Sequence, residues 1–248
     1  MIEKVVRSIL LKSFGLEGYL AIVSDAYLRI TNLGFLKNQY PELFFLKKII
    51  KPGFVSIDIG ANVGYYSTNI SKLSGPTGKV LAIEPVPLFA NVFKRNAHKF
   101  ALKNITLHQT ALGAENKNIE MGTPVIDGVF RHGLTHVLNA ENDNTALETF
   151  EAEMKIPDEL FANITQLDFI KCDVEGYEIY LFPHLVNTIK KFSPLIQIEI
   201  STSENRKIIY ELLAALGYNA FGLKNNELFK LSSNECLNYT LGDLYFKN

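Results

Sequence analysis

Short apolar runs alternate with helical stripes through the middle of the chain, and this alternation limits the possible folds more than any other feature. Residues 54–59, 79–84 and 105–112 are apolar runs that predict strands. Apolar residues at helical spacing predict helices at 63–73 and 88–100, the second opened by a proline. Strand and helix in regular succession predict an α/β domain with a parallel sheet and right-handed crossovers.

The same alternation returns in the last third of the chain. Strands are predicted at 167–173 and 194–200, with helices following each of them. Pro183 is expected to break the first of these helices, predicted over 175–191, at Phe182. Short strands complete the pattern, and they are predicted at 218–223, 227–231 and 244–246.

Local signals predict how these last elements begin and end. The pair Ser201 and Glu204 has the spacing of a capping box for the helix at 204–216. Gly217 is expected to end that helix. The polar residues at 224–226 predict a hairpin between two short strands.

Residues 113–166 form a connection much longer than an ordinary crossover requires. Apolar residues alternate from Phe150 to Ile156, so at least one additional strand is predicted there. The polar part, residues 131–144, is expected to be a loop at the carboxyl edge of the sheet, where substrate contacts are common. It contains His132 and His136, which are expected to be solvated rather than metal-bound.

The first 50 residues are predicted to be helical and to form an appendage to a domain at 51–248. Charged residues interrupt the apolar stretches of this N-terminal segment, so no membrane span is expected there. Its first residues do not have the pattern of a secretory signal peptide. These features predict a soluble, cytoplasmic protein. An amphipathic N-terminal helix is expected to pack on its own core or in a homodimer, with a membrane surface as the alternative.

Composition excludes few function classes, but charge is informative. The chain has 25 basic and 26 acidic residues and no basic stripe, which weighs against a nucleic-acid partner. Its two cysteines, Cys172 and Cys236, have no paired spacing. That pattern is typical of a reducing compartment and argues against a zinc site, and Cys172 is expected to be a buried thiol.

The run DIGANVG at residues 58–64 joins the first predicted strand to the next helix. Gly60 and Gly64 permit unusual backbone angles and close approach of a ligand to free helix N–H groups. The spacing differs from the G-x-G-x-x-G that holds a pyrophosphate, and Asp58 suits a ligand with positive charge. S-adenosylmethionine, which carries an ammonium and a sulfonium, is such a ligand. The alternative is an ordinary strand-turn-helix with a polar aspartate.

Three further carboxylates are predicted where strands end. Glu84 ends the second strand about 20 residues after the glycine turn, the spacing of an acid that accepts hydrogen bonds from ribose hydroxyls. Asp173 ends the fourth strand, in FIKCDVEGYE, and is expected to point into the central cleft. For Glu175 and Glu178, which follow it, charge compensation at a helix N-terminus is the alternative to a site role. Glu199 ends the fifth strand, and a site role and a sheet-edge charge are both open for it.

The segments VSIDIGANVGYYS, AIEPVP and FIKCDVEGYE resemble the signature segments of the FkbM-type S-adenosylmethionine-dependent methyltransferases. The resemblance covers residues 54–246, and the D-V-E-G-x-E element is its most specific part. It implies the class I methyltransferase fold, a Rossmann-like three-layer sandwich with a mostly parallel seven-stranded sheet and an antiparallel last strand. Cys172, where an aliphatic residue is more usual, and Pro183, within a normally continuous helix, depart from the family pattern.

The resemblance also implies roles for single residues. Residues 58–64 would face the methionine part of the cofactor, Glu84 the ribose, and the turn at 110–111 the adenine, with Asp173 beside the methyl group. The implied cofactor contacts are Asp58, Gly60, Ala61, Asn62, Gly64, Glu84, Pro85, Thr110, Ala111 and Asp173. Family members act mostly on hydroxyls, so the expected reaction is O-methylation of a sugar, glycolipid or natural product.

Methyl transfer requires an aligned acceptor oxygen and a base for its proton. The hypothesis is that Asp173 is that base, or holds it, with Glu175 supporting. A less favoured variant places Mg²⁺ between Asp173 and Glu199, since oxygen ligands suit that ion. Two other function classes stay open from the residues alone: a Rossmann-type nucleotide-binding oxidoreductase, and a non-catalytic domain that keeps the cofactor pocket.

Overall fold

Two β-sheets and nine α-helices make up the part of the chain that the computed structural model describes, residues 2–126, 129–130, 136–137 and 147–248. The strands are β1 Val55–Ile59, β2 Lys79–Ile83, β3 Ile105–His108, β4 Ala111–Leu112, β5 Lys117–Ile126, β6 Val129–Phe130, β7 His136–Val137, β8 Leu147–Lys155, β9 Phe169–Cys172, β10 Leu195–Ile198, β11 Asn219–Lys224, β12 Glu227–Lys230 and β13 Leu244–Lys247. The helices are α1 Ile2–Asn32, α2 Pro41–Ile49, α3 Tyr65–Ser74, α4 Pro87–Lys99, α5 Pro157–Leu160, α6 Glu178–Leu181, α7 Val186–Phe192, α8 Ser203–Ala215 and α9 Ser233–Leu237.

The larger sheet has eight strands in the order β12-β11-β13-β10-β9-β1-β2-β3. Strands β3, β2, β1, β9 and β10 are parallel, and β13 is antiparallel to both of its neighbours. This is the predicted class I methyltransferase architecture, including the antiparallel last strand. The carboxyl ends of β1, β2 and β9 therefore lie at one edge of the sheet, as the predicted site requires.

The sheet has one strand more than the predicted seven, because β12 pairs with β11 at the edge. Lys224 pairs with Glu227, and the two residues between them, Asn225 and Asn226, both have positive φ. Two left-handed residues form a turn whose twist matches that of a hairpin, and asparagine tolerates this conformation well. The predicted hairpin is confirmed.

The prediction of one continuous strand over residues 105–112 was wrong. The main sheet keeps β3, and the chain then leaves it so that β4 pairs with β8 in the second sheet. The hydroxyl of Thr110 donates to the carbonyl of Glu153 on β8 at 2.6 Å and fixes this transfer. Apolar periodicity does not distinguish one strand from two, since both sheets bury the same type of residue.

The long connection after β4 contains the second sheet, in the order β4-β8-β5-β6, with β7 also paired to β5. The additional strand predicted from the alternation around Phe150 is therefore confirmed as β8. Ala152 and Met154 on β8 pack against Ala111 and Met121. Of the predicted loop at 131–144, only residues 136–137 are described, and they form a strand rather than a loop. His132 and the remainder of that range lie outside the described residues.

Two helix predictions had different outcomes. Pro183 breaks the helix after β9 as predicted, since α6 ends at Leu181 and a 3₁₀ turn leads into α7. The predicted capping box at α8 was wrong, because Thr202 is the capping residue and its hydroxyl accepts from the Asn205 N–H at 3.1 Å. Serine and threonine are both favoured capping residues, so the residue type alone does not decide which of two neighbours caps the helix.

The N-terminal helices pack on the domain. Within α1, Gly15 has φ 66° and ψ −176°, which kinks the helix. The buried Leu46 of α2 lies in one core cluster with Ile70, Val80 and Phe169 of the domain. The predicted boundary at residue 50 stays a prediction. In the described part of the chain, no helix is both long enough and apolar enough to cross a membrane.

Candidate active site

Two cavities meet at the carboxyl edge of the parallel strands, and Gly60, Asn62 and Asp173 line both of them. The first cavity lies beside β2 and β4, and its wall consists of Ile59, Gly60, Asn62, Ile83, Glu84, Pro85, Val86, Phe89, Thr110, Ala111, Leu112, Met121, Asp173, Val174, Glu175 and Tyr177. The second cavity lies beneath α1 and α2, and its wall consists of Val23, Tyr27, Tyr40, Glu42, Leu43, Asp58, Gly60, Ala61, Asn62, Tyr65, Tyr66, Lys171 and Asp173.

Glu84 is the buried acid of the first cavity. One carboxylate oxygen accepts the N–H of Asn62 and the other accepts the N–H of Val86, each at 2.8 Å. Burial raises the pKa of Glu84 to about 7, although both hydrogen bonds favour the ionised form. The two backbone donors fix the carboxylate at the end of β2, so its remaining lone pairs can accept hydrogen bonds from a ligand.

The first turn of the DIGANVG run packs against the end of β9. A β-carbon on Gly60, which has φ 78°, would lie 1.8 Å from the carbonyl oxygen of Asp173. The Asp173 N–H in turn donates to the carbonyl of Ile59 at 3.0 Å. Only glycine fits this position, for both its backbone angle and its missing side chain. The two sequence motifs are thus joined into one site by backbone contacts.

Asp58 faces the second cavity and has little contact with solvent. It is 1% exposed and accepts a hydrogen bond from the Ser67 hydroxyl at 2.5 Å. Burial raises the pKa of Asp58 to about 6, against the opposing effects of Ser67 and the charge of Lys171. Its contact with the methionine part of the cofactor, which the family resemblance implies, stays a prediction.

The loop that follows β9 is held by Glu178. Its carboxylate accepts the N–H groups of Val174 and Gly176, both at 3.2 Å, and the side chain is buried. Within this loop Glu175 has φ 52°, a left-handed conformation. Burial and the neighbouring charge of Asp173 raise the pKa of Glu175 to about 7. Glu178 therefore shapes the D-V-E-G loop from within, instead of serving only as a helix-terminal charge.

A buried ammonium supports the end of β9. The side chain of Lys171 is 2% exposed, and its Nζ lies 3.2 Å from Asp243 and 4.0 Å from Asp173. Burial alone would lower the pKa of Lys171, but the two carboxylates outweigh burial and raise it. Gln197 donates to Asp243 at 2.7 Å and completes the group. Asp173, which keeps a side-chain exposure of 34%, is therefore a solvated carboxylate with a buried cation behind it.

Glu199 lies at the end of β10, where its N–H donates to the carbonyl of Cys172 at 3.0 Å. Burial raises the pKa of its carboxyl to about 7, with the charges of Asp173 and Asp243 adding to the effect. In the described ranges, no group of three or more histidine, cysteine, aspartate or glutamate side chains is placed to hold a metal ion. The Mg²⁺ hypothesis therefore gains no support from these residues and stays a prediction.

The structure distributes the predicted residues over the two cavities. The first cavity takes Gly60, Asn62, Glu84, Pro85, Thr110, Ala111, Asp173 and Glu175. Asp58 and Ala61 line only the second cavity. Gly64 is in neither wall; its φ of 91° and the Phe93 ring, 2.8 Å from the site of a β-carbon, both require glycine there. Its predicted cofactor contact stays a prediction. The sequence analysis did not predict Met121 and Tyr177 as lining residues. For Met121, the one available signal was the alternation that predicted a strand in the long connection.

The family comparison decides what this site belongs to. The family model of the methyltransferase FkbM domain matches residues 58–220, which span DIGANVG, Glu84 and the D-V-E-G loop. The chain belongs to the FkbM methyltransferase family. As a member of this family the chain is an S-adenosylmethionine-dependent methyltransferase, and the oxidoreductase alternative does not hold. No curated protein sequence matches this chain.

Three solved structures to which this chain is similar bear the names of methyltransferases. The precorrin-6y C5,15-methyltransferase of Geobacter metallireducens GS-15 has 14% identity and a TM-score of 0.49, over 86% of this chain and 87% of that one. An FkbM methyltransferase from Methylobacillus flagellatus KT has 13% identity and a TM-score of 0.49, over 82% and 50%. An S-adenosylmethionine-dependent O-methyltransferase from Thermotoga maritima has 12% identity and a TM-score of 0.48, over 84% and 64%. The chain thus spans about half of the FkbM structure and under two thirds of the O-methyltransferase.

Proposed function

We propose that this methyltransferase acts on a hydroxyl oxygen of a small molecule or carbohydrate, with Asp173 as the base or as the group that holds it. The observation that carries the proposal is the position of Asp173, which lines both cavities where they meet and whose carboxylate lies 4.0 Å from the ammonium of Lys171. If the cofactor is bound across the two cavities, a carboxylate where they meet can reach the hydroxyl that receives the methyl group and can accept its proton.

The residues present fit S-adenosylmethionine. Glu84 is fixed by two backbone donors and offers its free lone pairs to hydroxyl groups. An apolar wall suited to the adenine ring is formed by Val86, Leu112 and Met121. Every residue lining the first cavity is described and none is lysine, arginine or histidine, which disfavours a pyrophosphate. When bound, the cofactor supplies an activated methyl group on a positively charged sulfonium.

An oxygen acceptor accounts for the carboxylates around the junction. A hydroxyl is a weak nucleophile at neutral pH and requires a group that accepts its proton. Asp173 and Glu175 both line the first cavity, and the pKa of Glu175 is about 7, close to the optimum for a proton acceptor at neutral pH. In this proposal Asp173 takes the proton or positions the hydroxyl. Glu175, in the loop after β9, assists the removal of that proton.

The acceptor is proposed to be a small molecule or carbohydrate, and not nucleic acid. The chain has a formal net charge of −1, and the junction of the cavities is acidic. A polyanionic substrate would be repelled by Asp173 and Glu175, whereas neutral hydroxyl compounds would not. A cytoplasmic location and a homodimer through the N-terminal helices stay predictions.

A methyl-transfer assay with ¹³C-methyl-labelled S-adenosylmethionine tests the proposal. The acceptor panel contains neutral glycosides, glycolipids, hydroxylated aromatic compounds, amines and a structured RNA. The expected result is transfer to a hydroxyl of a neutral compound, identified by the ¹³C chemical shift of an O-methyl group. Transfer confined to nitrogen, carbon or the RNA would contradict the proposal.

A further inference from the structure

The outer wall of the second cavity comes from residues that precede the family domain. Tyr27 lies on α1, Tyr40 immediately before α2, and Glu42 in the first turn of α2. All three precede the matched span at 58–220. The inner wall, in contrast, contains Asp58 of the family motif. The N-terminal segment was predicted to be an appendage. It supplies one wall of a cavity whose other wall belongs to the family domain.

The chemistry of this cavity favours an ammonium group. The ring of Tyr27 lies 5.1 Å from that of Tyr40 and 4.3 Å from that of Tyr65, so several aromatic rings line one side. Aromatic faces attract cations, and the carboxylates of Glu42 and Asp58 add negative charge. Tyrosine and carboxylate together are a set of groups that suits a ligand ammonium.

The cavity contains little charge that would offset these acids. All of its lining residues are described, and among them Lys171 is the one side-chain cation. Its ammonium is already paired with Asp243 at 3.2 Å. Burial raises the pKa of Glu42. Beside Glu42 and Asp58 the cavity therefore lacks a free positive charge, and the ammonium group of a ligand would supply one.

We infer that the second cavity receives the amino-acid end of S-adenosylmethionine, and that Glu42, Tyr27 and Tyr40 recognise its ammonium group. The two cavities meet at Gly60 and Asn62, so one ligand with its nucleoside at Glu84 can extend into both. The inference assigns the N-terminal segment a part in binding the cofactor. It rests on the cofactor of the family and is independent of which atom of an acceptor is methylated.

Calorimetry with two probes on the full chain tests this inference. The probes are S-adenosylhomocysteine and 5′-methylthioadenosine, which share the nucleoside but differ in the amino-acid end. In Glu42→Gln, we expect S-adenosylhomocysteine to bind about tenfold more weakly, while the affinity for 5′-methylthioadenosine stays within about twofold of the original. Tyr40→Ala should give the same selective loss. Glu17→Gln on α1, whose side chain faces Arg95 outside the cavity, is the matched control and should change neither affinity.

Unchanged affinity for both probes in Glu42→Gln and Tyr40→Ala would overturn the inference and would favour this cavity as a site for the acceptor. Equal losses for both probes would also overturn it, since the variants would then act on the nucleoside or on the fold as a whole. Neither readout uses an acceptor, so failure of the proposed O-methylation is distinguished from failure of this inference.

Discussion

The carbonyl oxygen of Asp173 lies 1.8 Å from the point where a β-carbon on residue 60 would stand. Gly60 therefore has two reasons to be glycine, its φ of 78° and this backbone contact. The contact brings the glycine turn after β1 against the end of β9. Because the neighbouring atom is backbone, a side chain at position 60 could be accommodated only by moving Asp173 itself.

Gly60→Ala is expected to disrupt the site and the fold together. The strain of positive φ and the displacement of Asp173 should cost about 3 kcal/mol or more of unfolding free energy, with loss of S-adenosylhomocysteine binding. Gly176→Ala is the matched control, since Gly176 has φ 97° and nothing within 4 Å of a β-carbon. It should cost about 1–2 kcal/mol. Urea denaturation of both variants checks this, and equal losses would show that the contact with Asp173 does not matter.

Lys171→Met is expected to destabilise the protein by about 3–5 kcal/mol, because it leaves Asp243 buried without its ion-pair partner. The double variant Lys171→Met/Asp243→Asn removes the unpaired charge and keeps an acceptor for Gln197. It should recover most of the lost free energy of unfolding in urea titrations. A double variant no more stable than the single one would show that the pairing with Asp243 is not the source of the stabilisation.

Cofactor binding is expected to weaken as the pH falls below neutrality. Ribose hydroxyls that donate to Glu84 favour its ionised form, whereas burial gives the free protein a pKa of about 7 there. Ligand binding must then displace a proton, so affinity for S-adenosylhomocysteine should fall about tenfold between pH 8 and pH 6. Calorimetry across this range should find a weaker affinity with a much smaller pH dependence in Glu84→Gln, because the other acids of the site keep only their own smaller contribution. The same pH dependence in the variant and in the original protein would contradict the assignment.

Much of the fold and the site was predictable because parallel sheets impose strong rules. Apolar runs and glycine turns located β1, β2 and β9, and the carboxyl ends of parallel strands must share one edge. That rule alone placed Asp58, Glu84 and Asp173 near one another, although they are far apart in the sequence. The hairpin at β11 and β12 followed from residues that tolerate positive φ.

Features that depend on tertiary partners were not predictable in the same way. The pairing of Lys171 on β9 with Asp243, which directly precedes β13, joins residues that are distant in sequence, and neither residue has a local pattern that indicates it. Glu178 was interpreted as a possible helix-terminal charge, because nothing local shows that its carboxylate turns back to the N–H groups of Val174 and Gly176. The wall of the first cavity at Met121 likewise depends on how the second sheet folds over the first.

The most direct test of this account is the turnover of Asp173→Asn with the acceptor found in the labelled methyl-transfer assay, measured together with its affinity for S-adenosylhomocysteine. Asparagine keeps the size of the side chain but cannot accept a proton. We expect kcat to fall by about 10²–10⁴-fold while the Kd changes by less than about threefold. Full turnover with normal cofactor affinity would contradict the central claim that Asp173 serves the acceptor hydroxyl.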